Sequence, residues 1–227
     1  MRNVTRVALV CQPVGRPKEH DAATGAALLD AAERIVEADG MAELSVRRVA
    51  DLAGTTTRAV YTVFGSKDGL IVALGRRAFD WLADAMDQLP ASDDPVMDLE
   101  ESGVRVFRRL VAQHPALFKI GVQHNDVPAE LVPQFRAEAA NALARLHARF
   151  QRLHEHRHLD DRNISEAATQ FHALCEGLAA LELRGILTSG QEERIWRSAL
   201  SALIAGMSSP VKQSPRSAVR MPARASR

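Results

Sequence analysis

Cysteine is nearly absent from this chain. Cys11 and Cys175 are the two examples in 227 residues, and they form no CxxC pair. That argues against a disulfide framework and against a four-cysteine zinc site, and it fits a reducing cytosol. Aromatic residues make up only 4%, with one Tyr and two Trp. No apolar run approaches the roughly 20 residues of a membrane-spanning helix. Val7–Cys11 is apolar but too short for a signal-peptide core. No GxSxG elbow, Walker loop, GxGxxG turn or HExxH pair occurs, so the common nucleophile, phosphate, dinucleotide and zinc-hydrolase signatures are all missing. The sequons at Asn3 and Asn163 are chance matches in a cytosolic chain. A net charge of +1 gives no sign of a generally basic nucleic-acid coat.

The charge is informative only locally. Residues 44–67 carry Arg47, Arg48, Arg58 and Lys67 against the single acid Asp51. Residues 1–20 carry Arg2, Arg6, Arg16 and Lys18 against Glu19. A small basic reading head on a near-neutral body fits this distribution. Residues 207–227 are rich in Ser, Pro, Arg and Ala, with five bases and no acid. They read as a disordered basic tail.

An apolar fraction of 46% is enough for a sizeable core, and the periodicity is helical throughout. Residues 1–21, with Pro13, Gly15 and Pro17, read as a flexible arm. Leu28, Ala32, Ile35 and Val36 recur at helical spacing from Ala26 to Asp39, and Gly40 is a natural stop. Ser45 caps a second helix with Val46, Val49, Ala50 and Ala53 on one face. Gly54 permits a turn, and Thr56 caps a short third helix whose Val60, Val63 and Phe64 face inward. Gly65 and Ser66 separate it from a long fourth helix, from Lys67 to about Gln88. Its buried stripe is Leu70, Leu74, Ala78, Trp81 and Ala85. Further helices are predicted over Val96–His114, from Pro133 onward, from Ile164 to about Gly185, and from Gln191 to Ala205. No strand is predicted.

Two short helices joined at Gly54, the second polar and basic on its outer face, suit insertion into a DNA major groove. The stretch LLDAAERIVEADGMAELSVRRVADLAGTTTRAVYTVFGSKDGL, residues 28–70 of a match over roughly 26–70, closely resembles the N-terminal domain of TetR-type (TetR/AcrR) transcriptional regulators. Its marks are helix–Gly, a Ser-capped helix, Ala-Gly, Tyr-x-x-Phe and Ser-Lys. It departs from that pattern at Thr55, where an apolar turn residue is usual, and at Val63, where a polar one is usual. The pattern and the resemblance together imply an all-α chain. A three-helix helix-turn-helix DNA-binding domain over 22–68 would precede a helical effector-binding and dimerisation bundle over 69–206.

The resemblance implies roles at the matching positions. Thr56, Thr57, Arg58 and Tyr61 lie on the exposed side of the recognition helix. Arg58 can pair with a guanine edge, and Tyr61 is placed for a phosphate. Ser45 and Arg47 stand where helix N–H groups favour a phosphate. Lys67, a cation in the first turn of a helix, opposes the dipole unless a phosphate is near; the plainer reading is a solvated lysine offset by Asp68. Gly15-Arg16-Pro17-Lys18 suits a minor-groove arm, or equally a basic tail with non-specific attraction.

The bundle is harder to read. Phe171, Leu174, Cys175, Leu178 and Leu181, with Trp196, Leu200 and Leu203, form either a four-helix interface between two copies or the core of one. The resemblance favours the interface. Trp81, Met86, Phe107, Phe118, Phe135 and His147 are effector-pocket candidates, although each also reads as plain core. Scarce aromatics favour an aliphatic pocket over an aromatic cage. His154, His156 and His158 with Asp160 and Asp161 could bind a metal if the helix continued, but helix-end exposure explains them as well. A Cys175/His172 nucleophile pair is outweighed by core packing. The expectation is therefore a non-enzymatic, cytoplasmic homodimer that binds double-stranded operator DNA. It would be a repressor released by a small-molecule effector, with no cofactor, metal or membrane partner. The alternative is a helical small-molecule-binding protein or enzyme that has lost specific DNA binding.

Overall fold

The structure, a computed structural model, describes residues 18–122, 129, 132–159 and 162–208, with side chains from residue 22 onward and not at Gln134. Arg16, Asp160, Asp161 and nearly all of the tail lie outside the described residues, as does the side chain of Lys18. Every regular element among the described residues is helical: α1 (Lys18–Asp39), α2 (Val46–Leu52), α3 (Thr57–Phe64), α4 (Lys67–Gln88), α5 (Pro95–Glu101), α6 (Arg108–Gln113), α7 (Pro115–Gly121), α8 (Val132–Glu155), α9 (Ile164–Leu183) and α10 (Glu192–Met207). A short 3-10 turn, Met41–Glu43, follows α1, and a π-helical turn, Ser102–Phe107, joins α5 to α6.

Among the described residues, those up to 85 with those of 109–143 make one compact unit, and those of 86–108 with those from 144 onward make a second. In the first, α1 packs on α2, α3 and α7. Its expected stripe, Leu28, Ala32, Ile35 and Val36, is buried, together with Leu44, Val49, Ala50, Val60, Leu70 and Leu74. Each buried leucine contributes about 1.5–3 kcal/mol of transfer free energy before entropy is counted. The first helix begins at Lys18, earlier than the expected Ala26. Ala22, Ala23, Ala26 and Ala27 are strong helix formers and carry it through Gly25. Where α4 meets α7, a Cβ on Gly121 would lie 2.6 Å from the Ala78 side chain and 2.9 Å from the Gly75 carbonyl oxygen. Only glycine allows so close an approach.

The second unit is built around Phe171 of α9, which meets Phe150 of α8 edge-on at 5.7 Å and Phe107 at 6.4 Å. Leu99, Leu146, Leu153, Leu159, Cys175, Trp196, Leu200 and Ile204 are buried around these rings. The Trp196 indole N–H donates to Glu182 at 2.7 Å. The predicted helix over Val96–His114 is present but interrupted by the π-helical turn. Within that turn Gly103 lies against Leu200 and Phe171, so closely that a Cβ there would overlap Leu200.

Candidate nucleic-acid interface

The reading head is shaped by its helix ends. Ser45, in extended geometry, accepts the Arg48 N–H on its Oγ at 3.3 Å, as an N-cap does. After α2 the chain reverses at Gly54, whose φ of 65° is a conformation that side chains disfavour. The Thr55 N–H reaches the Ala50 carbonyl at 2.9 Å across this reversal. Thr56 takes the N-cap position of α3, but its hydroxyl makes no capping bond. Gly65, at φ 74°, closes α3 with its N–H on the Tyr61 carbonyl at 2.9 Å. Ser66 Oγ then accepts the Gly69 N–H at 2.9 Å, which sets Lys67 at the first position of α4.

This chemistry turns one face of α3 outward. Val60 is fully buried on α1 and α2, whereas Thr56, Thr57, Arg58, Tyr61 and Thr62 are exposed, Tyr61 by 54%. Among the described residues Arg58, Tyr61 and Lys67 have no ion-pair or side-chain hydrogen-bond partner. Their donors stay available to a polyanion. Arg47 is as exposed, with only a loose contact to Asp51 at 3.9 Å. Arg48 is different: it pairs with Asp39 at the end of α1 and with Glu43 at 3.3 Å. It fastens α2 to α1 rather than facing a ligand. A groove of about 630 Å³ runs beside the recognition helix, lined by Ala23, Ala27, Gly54, Thr56, Arg58 and Thr62 among others.

One sequence expectation fails within the head. Val63 does not face inward; it is 38% exposed, at the edge of α3 near Gly25. Phe64 is half-buried. Val60 is the buried residue of α3, and Val63 lies at the rim of the packed face. Nothing in the sequence singles out Thr62, whose hydroxyl donates to the Arg58 carbonyl at 2.9 Å on the exposed face.

The six expected effector residues divide between the two units. Trp81, Phe118 and Phe135 belong to the first unit, and Met86, Phe107 and His147 to the second. Trp81 is tilted on His114 at 5.8 Å, Phe135 meets Phe79 at 5.1 Å, and Phe107 lies against Phe171 and His172. Phe118, Phe107 and Met86 are buried, and none of the six lines the groove beside α3.

The expected interface also needs correction. Phe171, Cys175, Leu178, Trp196 and Leu200 are buried within one chain and present no surface to a second copy. Leu174, Leu181 and Leu203 are half-exposed. Burial pushes the Cys175 thiol far up, which leaves it a packing group. Nor do His154 and His158 share a helical face. After Glu155 the chain turns at Arg157, with φ 61°, and the His158 N–H closes on the Leu153 carbonyl at 3.0 Å. That is a Schellman ending.

Residues 28–74 match the family described as bacterial regulatory proteins, tetR family. Curated protein sequences give no match. The fold resembles a protein of unknown function from Rhodococcus sp. RHA1, at TM-score 0.71 and 19% identity, over 87% of this chain and 100% of that one. It resembles the TetR family transcriptional regulator PfmR from Thermus thermophilus, at TM-score 0.61 and 19% identity, over 78% of this chain and 96% of that one. A third likeness is to the transcriptional regulator FadR from Bacillus subtilis, in complex with stearoyl-CoA, at TM-score 0.67 and 14% identity, over 80% of this chain and 98% of that one. At such identities these structures establish a shared fold. The match over residues 28–74 marks a tetR-family helix-turn-helix, and the chain as a whole shares the fold of such regulators.

Proposed function

We propose that the chain acts in the cytoplasm as a homodimer on an operator, as a repressor that a small molecule releases, and that it catalyses no reaction. The observation that carries this reading is the row of exposed, unpaired donors at Arg58, Tyr61 and Lys67 on α3 and the start of α4. Arg58 reads a guanine edge in the major groove, while Lys67, Tyr61 and Arg47 fix the register on phosphates. Arg16 and Lys18 of the N-terminal arm add minor-groove or non-specific attraction.

One head reads too few base pairs for a genomic site, so two copies on half-sites one helical turn apart are required. The outer faces of α9 and α10 support pairing of two chains there. Leu174, Leu181 and Leu203 are half-exposed among small exposed residues such as Ala173, Gly177, Ala202 and Gly206. Small side chains let helices approach closely across such an interface. The effector acts by favouring one bundle state over another, and a molecule binding both states equally would do nothing. The stearoyl-CoA held by the Bacillus subtilis FadR and the scarcity of aromatics here make long-chain acyl thioesters the first class to screen.

The test is a binding titration of the purified chain against the DNA flanking its own coding region, at stated salt and beside an unrelated duplex. Selective binding by a dimer supports the reading. Equal binding to both duplexes by an intact, folded dimer would overturn it.

A further inference from the structure

A second constellation lies away from the reading head, on the opposite part of α1. Glu33 and Glu37 are four residues apart, one helical turn, and so share a face. The packing of α1 on α7 brings His114, the residue before α7, onto that face. One oxygen of each carboxylate and one ring nitrogen all lie within 4.8 Å of one another. His114 Nδ1 is 2.7 Å from Glu33 Oε1.

The charges around this cluster do not balance. Arg77 of α4 is the guanidinium in contact with it, 2.6 Å from Asp30 and 3.3 Å from Glu33 Oε2. Its Nη1 is buried and makes no hydrogen bond. One guanidinium therefore serves both Asp30 and Glu33. Glu33 is only 7% exposed, so water does little to offset its share.

We propose that Glu33, Glu37 and His114 bind one divalent first-row transition-metal ion, joining α1 to the start of α7. Two carboxylates and an imidazole are hard-to-borderline donors of the kind that zinc, manganese and nickel accept. A tetrahedral ion with bonds of about 2.0–2.2 Å holds its donors ~3.4 Å apart. The 2.7 Å contact must widen slightly and the wider gaps must close, which flexible glutamate ends allow. Arg77 engages the outer oxygen of Glu33 and leaves the inner one for the ion. The Trp81 ring lies beside the His114 ring at 5.8 Å and fixes its orientation. Such supporting groups ordinarily tune affinity at metal sites. Three protein donors leave one coordination position open.

The test is calorimetric titration of zinc chloride into the full chain at pH 7, in a buffer that does not chelate. The expected result is one saturable site per chain, with affinity at least tenfold weaker in Glu37→Gln and in His114→Gln. Glu37 is exposed, so its variant keeps the fold, which circular dichroism checks. Zinc should raise the melting temperature of the parent chain and not of Glu37→Gln. A His154→Ala/His156→Ala double variant should bind as the parent does. Absence of saturable binding, undiminished binding by Glu37→Gln, or loss of binding in the His154/His156 variant would each overturn the proposal. The measurement uses no DNA, so its failure leaves the operator reading standing.

Discussion

At the scale of single residues, the division of labour rests on which cations are already engaged. Arg48 is tied to Asp39 and Glu43, so its loss should loosen α2 from α1 rather than change base preference. Lys67 has no such tie among the described residues. Lys67→Ala should weaken binding to every duplex by a similar factor, and it should lower the salt dependence by about one unit per head. Titrations at three salt concentrations measure both. A change confined to one DNA sequence would instead place Lys67 on a base. These residues were legible because capping and turns are local chemistry. Ser45, Gly54, Gly65 and Ser66 each announce a helix end within four residues of themselves. The exposure of Val63 was not legible, since eight residues are too few for periodicity to separate one buried position from its neighbours. The Glu33–His114 contact was equally hidden, because it spans 81 residues of sequence.

At the scale of elements, the closing helices illustrate how a correct apolar pattern can be given the wrong partner. The stripes of α9 and α10 were plain from spacings of three and four. Whether they faced the same chain or a second copy depended on Phe107 and Phe150, whose position against Phe171 no local pattern specifies. The π-helical turn was likewise unreadable, because Ser102–Phe107 has no special composition; only the packing of Gly103 on Leu200 marks it. Gly103→Ala should destabilise the protein by about 1–3 kcal/mol through overpacking, read from the midpoint of urea unfolding.

Asp98 of α5 holds the preceding loop to α8. It accepts from the Ser92 N–H at 2.9 Å and from Arg152 at 2.6 Å. Burial opposes its ionisation, but the hydrogen bonds from Arg152 and Ser92 outweigh burial and hold its carboxyl below the usual 3.8. A depressed folded-state pKa means stability that is full above the unfolded value and lost as pH falls through the folded one. Asp98→Ala should cost about 3 kcal/mol at pH 7, toward the lower end for a broken buried pair, since Arg152 keeps some access to water. The deficit should shrink below about pH 4. Urea titrations of both proteins at pH 7 and pH 3 check this. A deficit unchanged in acid would show that packing, not charge, is responsible.

At the scale of the whole molecule, a near-neutral chain sets three exposed, unpaired donors, Arg58, Tyr61 and Lys67, on one short helix and the start of the next. Among the described residues no helix is long and apolar enough to cross a membrane. The effector region stayed illegible because a binding pocket is made by distant side chains that also serve as core. The six candidates proved to be spread over two units, most of them with packing partners of their own. The central claim is that Arg58 reads sequence while its neighbours supply attraction. It is tested most directly by anisotropy titration of the parent and Arg58→Ala chains, on the selected operator duplex and on the same duplex with its central guanines replaced. The account predicts that the parent prefers the intact operator and that Arg58→Ala loses about five- to 150-fold of that preference, the range for about 1–3 kcal/mol per bidentate contact, while its affinity for the altered duplex changes little. An Arg58→Ala chain that discriminates as well as the parent would contradict it.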